Sequence, residues 1–179
     1  MSEKLEMRDS VPSDLGAIES LYLVAFPDED LLPLVRDLLQ DTTITTSIVG
    51  VIDSRIIGHV IFTKCRVVGK RPSAALLGPL VVTPAWQGQG IGSAIVRAGL
   101  RRLEDAGVDR VFVLGDPAYY GRFGFHSESF VEPPFPFSPG FPPEWDGAWQ
   151  SRDFGETTTP CAGKLSVPPP WLKPALWAP

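Results

Sequence analysis

Three alternate glycines, Gly88, Gly90 and Gly92, stand between a β-branched run ending at Val82 and a helical pattern that opens at Ile91. A helix entered in this way leaves its first backbone N–H groups without intrahelical partners, and the positive end of its dipole lies behind them. The pattern therefore reads as an anion site, in which the missing Cβ atoms let a phosphate approach the backbone. The competing reading is a plain strand-to-helix connection in which glycine only permits close packing. Two familiar phosphate loops fail on the same residues. A dinucleotide G-x-G-x-x-G would need a third glycine where Ser93 or Ile95 stands, and a P-loop would need a lysine where the turn closes Ile91-Gly92-Ser93. Neither hydride transfer nor nucleoside triphosphate hydrolysis is favoured.

Gln87, Gly90 and Gly92 fill Q/R-x-x-G-x-G/A in register, after Leu80, Val82 and Pro84 in the pattern L-x-V-x-P. This stretch resembles the acetyl-CoA signature of the GNAT superfamily of N-acetyltransferases. A second motif follows in the expected order: Tyr120 stands four residues before Gly124-Phe125, as a tyrosine commonly does in that superfamily. Together the motifs cover about residues 76–125, while residues 1–68 agree in element order only.

The resemblance implies an α+β, α/β/α layered fold: a central mixed, mostly antiparallel sheet flanked by helices, with a parallel β-α-β crossover at the cofactor site. It implies transfer of an acetyl group from acetyl-CoA to an amine of a small molecule or peptide, by direct attack in a ternary complex. Backbone groups of Leu80, Val81 and Val82 would pair with the pantetheine amides, and an N–H around Val82 would hold the oxyanion. Gln87, Gly88, Gln89, Gly90, Ile91, Gly92 and Ser93 would hold the pyrophosphate. Tyr120 would contact the cofactor and protonate the departing sulfur, so Tyr120 and Val82 are the catalytic candidates. Its neighbour Tyr119 reads as core packing. Glu29, Asp30, His59, Glu144 or a water chain could serve as base, although a lone histidine in a strand is more often structural. A non-catalytic acyl-CoA-binding module, using its aromatic tail as an interaction surface, is the alternative.

These residues need elements to hold them. Lys4 to Arg8 alternates as an edge strand, and Ser10 or Ser13 reads as the cap of a helix reaching about Phe26, with Ile18, Leu21 and Tyr22 on its apolar face. Pro27 breaks that helix, and the acidic residues 28–30 read as the start of a second, where negative charge suits the dipole. The runs 44–52 and 56–68 read as a hairpin turning at Asp53-Ser54-Arg55, with Gly58 as a bulge. Residues 74–82 form the key strand. After the glycine turn a helix runs to Gly107, and residues 108–114 form a strand parallel to the key strand by a crossover. Asp116 and Pro117 read as the cap and first residue of a short helix carrying Tyr119 and Tyr120.

The 179 residues, 44% hydrophobic and 21% charged, suit one acetyltransferase domain. Its core would span 1–130, with a proline- and aromatic-rich segment, 131–179, packed on it, roofing the acceptor pocket and ending in a strand at 161–167. The formal net charge of -5 argues against nucleic acid as a partner. No apolar run suits a membrane span or a signal peptide, which points to a cytoplasmic protein. Cys65 and Cys161 are far apart, and with only two histidines no metal-ligand spacing exists, so no metal is expected. A homodimer is compatible with this reading.

Overall fold

The β-branched runs become strands with boundaries close to those read from the sequence, because alternation and burial agree along each of them. A computed structural model of the chain describes residues 3–69, 73–137, 146–155 and 161–178. Its backbone forms two compact units, one of Met1–Thr63 with Gly78–Leu103 and one of Lys64–Leu77 with Glu104–Pro179. Two long strands, β3 (Arg55–Val67) and β4 (Ala74–Val82), each contribute residues to both.

In the first unit β1 (Glu6–Asp9) pairs antiparallel with β2 (Thr45–Ile52), and β2 with β3. The order continues from β3 to β4. The β2–β3 hairpin closes on two residues, Asp53 and Ser54, both at positive φ (47° and 64°), as a turn matched to strand twist requires. Gly50 faces Gly58 and Val51 faces Ile56, so Ile57 is the extra residue of a bulge beside the glycine that marked it. Helix α1 (Leu15–Ala25) buries Ile18, Leu21 and Tyr22, and α2 (Leu32–Gln40) buries Leu34, Val35 and Leu38.

Two helix entries differ from expectation. Neither Ser10 nor Ser13 caps: the short 3-10 turn Pro12–Asp14 starts at Val11, whose N–H donates to Asp14 Oδ2 at 2.8 Å. Arg8 grips the same carboxylate at 2.7 and 3.1 Å, which lowers its pKa and ties β1 to the helix entry. Helix α2 begins after the acidic residues, with no acid in its first turn, because Pro33 is better placed there than the carboxylates.

Helix α3 (Ile91–Asp105) buries Ile91, Ile95, Val96, Gly99, Leu100 and Leu103 along one stripe. Its approach to the strands is unusually close. A Cβ on Gly99 would lie 2.1 Å from Phe62 Cε2, and one on Gly58 would lie 2.5 Å from Ile95 Cδ1. On the other face of β3, His59 is fully buried. Its Nδ1 lies 2.9 Å from the Tyr22 hydroxyl and its Nε2 2.8 Å from Ser47 Oγ.

In the second unit the N-terminal part of β4 pairs in parallel with β5 (Arg110–Leu114), and β5 pairs antiparallel with β8 (Trp149–Asp153). The two-residue strand β6 (His126–Ser127) adds to β8. A small ladder links β7 (Val131–Glu132) to β9 (Gly163–Ser166), and β9 to the end of β3. The last strand is thus shorter than the expected 161–167. Phe112 stacks on Trp149 at 5.4 Å, and Trp177 meets Trp149 edge-on at 5.7 Å, so the C-terminal aromatics join this unit's core. Residues 138–145 of the proline-rich segment, Glu144 and Trp145 among them, lie outside the described residues.

The close approach of α3 makes a direct test. Gly99→Val should cost about 1–3 kcal/mol, the usual penalty for overpacking, whereas Gly16→Ala, with open space around it, should gain up to about 1 kcal/mol of helix propensity. Urea midpoints measure both, and a Gly99→Val protein as stable as its parent would contradict the packing. His59 gives a pH test. Burial lowers its pKa from 6.5 to about 3, against a smaller opposing effect of Asp14. Below pH 6.5 the unfolded chain takes up the proton first, so stability falls with pH by at most about 1.4 kcal/mol per unit. The His59 slope should be visible between pH 6.5 and about 5, above the range in which carboxylates begin to protonate, and His59→Gln should flatten it.

Candidate functional site

At the end of β4 the chain turns through the 3-10 segment Pro84–Trp86 into Gln87 and the glycines. Strand alternation sets which backbone groups are available there. Thr83 N–H donates to Ile57 O at 2.9 Å, on the β3 side. One residue earlier, the N–H and C=O of Val82 must point away from β3. The carbonyl is taken: Gln87 Nε2 donates to Val82 O at 2.9 Å. This bond closes the turn on itself and fixes the path by which the chain enters α3. The parallel ladder to β5 is recorded at Ala74, Ala75 and Leu76, and β4 continues past it to Val82.

Gly88 and Gly90 take φ of 73° and 79°, a region side chains rarely adopt, and nothing lies within 4 Å of the place a Cβ would fill on either. Both conditions of an open anion cradle are met in the backbone itself. Ala94 N–H makes its helical bond to Gly90 O at 3.0 Å, so the N–H groups of Ile91, Gly92 and Ser93 precede the first bond of that ladder. The first turn carries no acidic residue to neutralise the dipole. Gln87, Gly88, Gln89 and Gly90 are exposed, Ile91 is buried, and Gly92 and Ser93 are half-buried. Gln89 Nε2 reaches Ala85 O only at 3.5 Å and braces the turn weakly. Leu80 and Val82 are half-buried, whereas Val81 points into the core.

Tyr120 belongs to the second unit, on α4 (Pro117–Tyr120). Asp116 caps this helix, its Oδ1 accepting from Ala118 N–H at 2.9 Å, with Pro117 in the first helical position. The loop before it is held from below: Gly115 N–H donates to Ala148 O at 3.0 Å, and the buried Gln150 amide donates to Gly115 O at 3.1 Å. Gly115 is needed there, because a Cβ would lie 2.3 Å from Tyr120 Cε2. The Tyr120 ring meets Tyr119 and Phe125 edge-on at 5.0 and 5.9 Å. Burial, with Tyr119 and Asp116 adding to it, pushes the Tyr120 phenol pKa up, so the group keeps its proton. Tyr119 instead lies under the Arg122 guanidinium, 4.5 Å from its ring, and against Phe123.

The base candidates fare unequally. His59 is sealed in the core and held neutral. Glu29 and Asp30 are exposed on the α1–α2 connection, and Glu144 lies outside the described residues. Burial raises the Cys65 thiol, which disfavours a thiolate nucleophile. Among the described residues no cluster of histidine, cysteine or carboxylate could hold a metal, and no helix is long and apolar enough to cross a membrane. Sequence reasoning missed Gln150 and Glu128. Glu128 Oε1 accepts from Ser151 and its Oε2 from two backbone N–H groups. Ser151 lies 23 positions from Glu128 and Gly115 35 from Gln150, and no local signal announces these two contacts.

Comparison with known proteins agrees with this geometry. Residues 15–125, more than half of the chain, match the model of the Acetyltransferase (GNAT) family. The Escherichia coli K12 protein YhbS, described as an uncharacterized N-acetyltransferase, is 35% identical over 120 residues, covering 66% of this chain and 72% of the relative. Its crystal structure in complex with CoA superposes with a TM-score of 0.85 at 27% identity, over 97% of this chain and 94% of that one. A GNAT family acetyltransferase from Brucella melitensis in complex with acetyl-CoA gives a TM-score of 0.74 at 26% identity, over 95% and 99%. With the mixed sheet, its parallel β4–β5 pair and the glycine turn at the head of α3, these matches show that the chain belongs to the GNAT family of acetyltransferases.

Proposed function

We propose that this acetyltransferase moves the acetyl group of acetyl-CoA onto an amine of a small molecule or peptide in the cytoplasm, and that the whole chain works as one domain. The observation that carries the reading is the turn at residues 87–93, with two positive-φ glycines, an open cradle and a helix start that holds no acidic residue in its first turn. Its backbone N–H groups suit a pyrophosphate. Val82, whose N–H faces away from β3, suits the oxyanion that develops when the thioester carbonyl is attacked. Such a donor is typically worth about 3 kcal/mol. The Leu80 and Val81 backbone would align the pantetheine arm beside it.

The reaction forms one C–N bond and breaks one C–S bond. The amine nitrogen gives its electron pair to the carbonyl carbon, and the sulfur leaves with the C–S pair. Tyr120, held protonated by burial, donates to that sulfur, and the nitrogen's surplus proton passes to water or to a base at the acceptor, from which Tyr120 regains its own. No cysteine nucleophile takes part.

Three measurements test this. Incubation with acetyl-CoA and a broad panel of amines, peptides and aminoglycosides should release free CoA in an amine-dependent way; binding without release would return the non-catalytic module. Gly92→Glu places a carboxylate in the first turn of α3, where the helix tolerates it and a pyrophosphate does not. Its acetyl-CoA affinity should fall at least 10-fold, about 1.4 kcal/mol, with the thermal midpoint retained, and unchanged affinity by calorimetry would sink the phosphate assignment. Tyr120→Phe should bind acetyl-CoA normally and lose roughly 10²-fold in turnover, the low end for a positioned acid, while Tyr119→Phe keeps its rate. Full turnover in both variants, with chemistry limiting, would remove the tyrosine acid.

A further inference from the structure

Gln150, on β8, is a polar side chain that the fold buries almost completely, with 2% of its surface exposed. Its amide nitrogen is well used. Nε2 donates to Gly115 O at 3.1 Å and, more weakly, to Ala148 O at 3.4 Å. These two carbonyls also settle which way the amide lies, because a flipped group would set its oxygen against two others. The oxygen has no such use. Among the described residues no group donates to Gln150 Oε1, and yet no side-chain nitrogen or oxygen shut off from solvent lacks a partner. Oε1 is therefore an atom through which Gln150 keeps its small exposure. Fastening the Gly115 loop explains the nitrogen and leaves the oxygen unexplained. Withdrawing an amide acceptor from water without a partner is costly, and a rigid acceptor that opens on accessible space suits a donor from a bound molecule.

Position selects the molecule. The bond to Gly115 O pins the amide at that residue, and an amide oxygen lies about 2.3 Å from its nitrogen. The same Gly115 abuts the hydroxyl-bearing side of the Tyr120 ring: a Cβ there would lie 2.3 Å from Cε2 and 3.4 Å from Cζ, the carbon that carries the hydroxyl. Gln150 Oε1 and the hydroxyl side of Tyr120 thus converge on one residue of the second unit. In the proposed reaction Tyr120 meets the departing sulfur, and the attacking nitrogen stands one carbonyl carbon away from that sulfur. The pantetheine amides have the Leu80 to Val82 backbone for partners, whereas the N–H groups of the amine still need an acceptor.

We infer that Gln150 binds the substrate amine: its Oε1 accepts an N–H of the neutral amine and turns the nitrogen lone pair toward the thioester carbonyl. This role presupposes acetyl transfer with Tyr120 as the acid, as proposed above. A neutral amide fits the task where a carboxylate would not, since a negative charge there would favour the ammonium, which has no lone pair to give. No proton moves to Gln150.

The test uses the full chain with the amine that releases CoA fastest in the panel of amines, peptides and aminoglycosides, and with the same amine N-trimethylated, which has no N–H at any pH. Gln150→Met keeps the length of the side chain and removes the amide. Its KM for the amine should rise at least tenfold, while its calorimetric affinity for acetyl-CoA moves less than twofold. Loaded with CoA, which has no acetyl group to give, the parent protein should bind the amine at least tenfold tighter than the trimethylated form, and in Gln150→Met that ratio should shrink at least threefold. A fall in kcat with the amine KM unmoved would leave Gln150 a brace of the Gly115 loop and overturn the inference. Equal losses for amine and acetyl-CoA, an unchanged ratio in the variant, or a parent protein that binds the trimethylated amine as tightly would overturn it too. A parent protein that releases no CoA with any amine would overturn the acetyl-transfer reading itself, and the role of Gln150 with it.

Discussion

The carbonyl of Val82 and the amide of Gln87 form the short-range contact on which the glycine turn depends. They stand only five positions apart, yet the bond decides how a strand becomes a helix. It satisfies the last outward carbonyl of β4 and draws the chain round through Gly88 and Gly90 into the start of α3. A helix dipole concentrates its effect within its first turn. The turn can therefore act on an anion only because two residues accept positive φ without a Cβ in the way.

That turn would point elsewhere if α3 stood farther from the strands. Helices and sheets ordinarily keep their distance because side chains fill the space between them. Here Gly99 meets the Phe62 ring and Gly58 meets Ile95, so the helix sinks by the thickness of the missing groups. Packing at the middle of α3 thus sets the position of its N-terminus, and the energy that fixes the site comes from apolar contact some distance away.

Tyr120 is held by a different device. The cap from Asp116, the fixed φ of Pro117 and the missing Cβ of Gly115 set a four-residue helix that propensity alone could not sustain. Gln150 fastens the loop to β8, and the aromatic ring is packed on several sides. The result is a phenol that keeps its proton.

Much of this was legible in the sequence for a local reason. Strands β2, β3 and β4, the hairpin at Asp53-Ser54, the entry to α3 and the Asp116-Pro117 cap are all specified within a few neighbouring residues, by alternation, glycine placement and capping chemistry. The family follows from the same short patterns. Where the sequence misled, a distant partner outcompeted the local one: Asp14 took the Val11 N–H and the Arg8 guanidinium, so neither serine capped α1, and Ser10 joined Ser47 instead. The fully buried His59 shows the same limit. Its residue type left base and structure open, and only the tertiary fold sealed it between Tyr22 and Ser47, because burial and hydrogen-bond partners 12 and 37 positions away are properties of packing and leave no trace in local order.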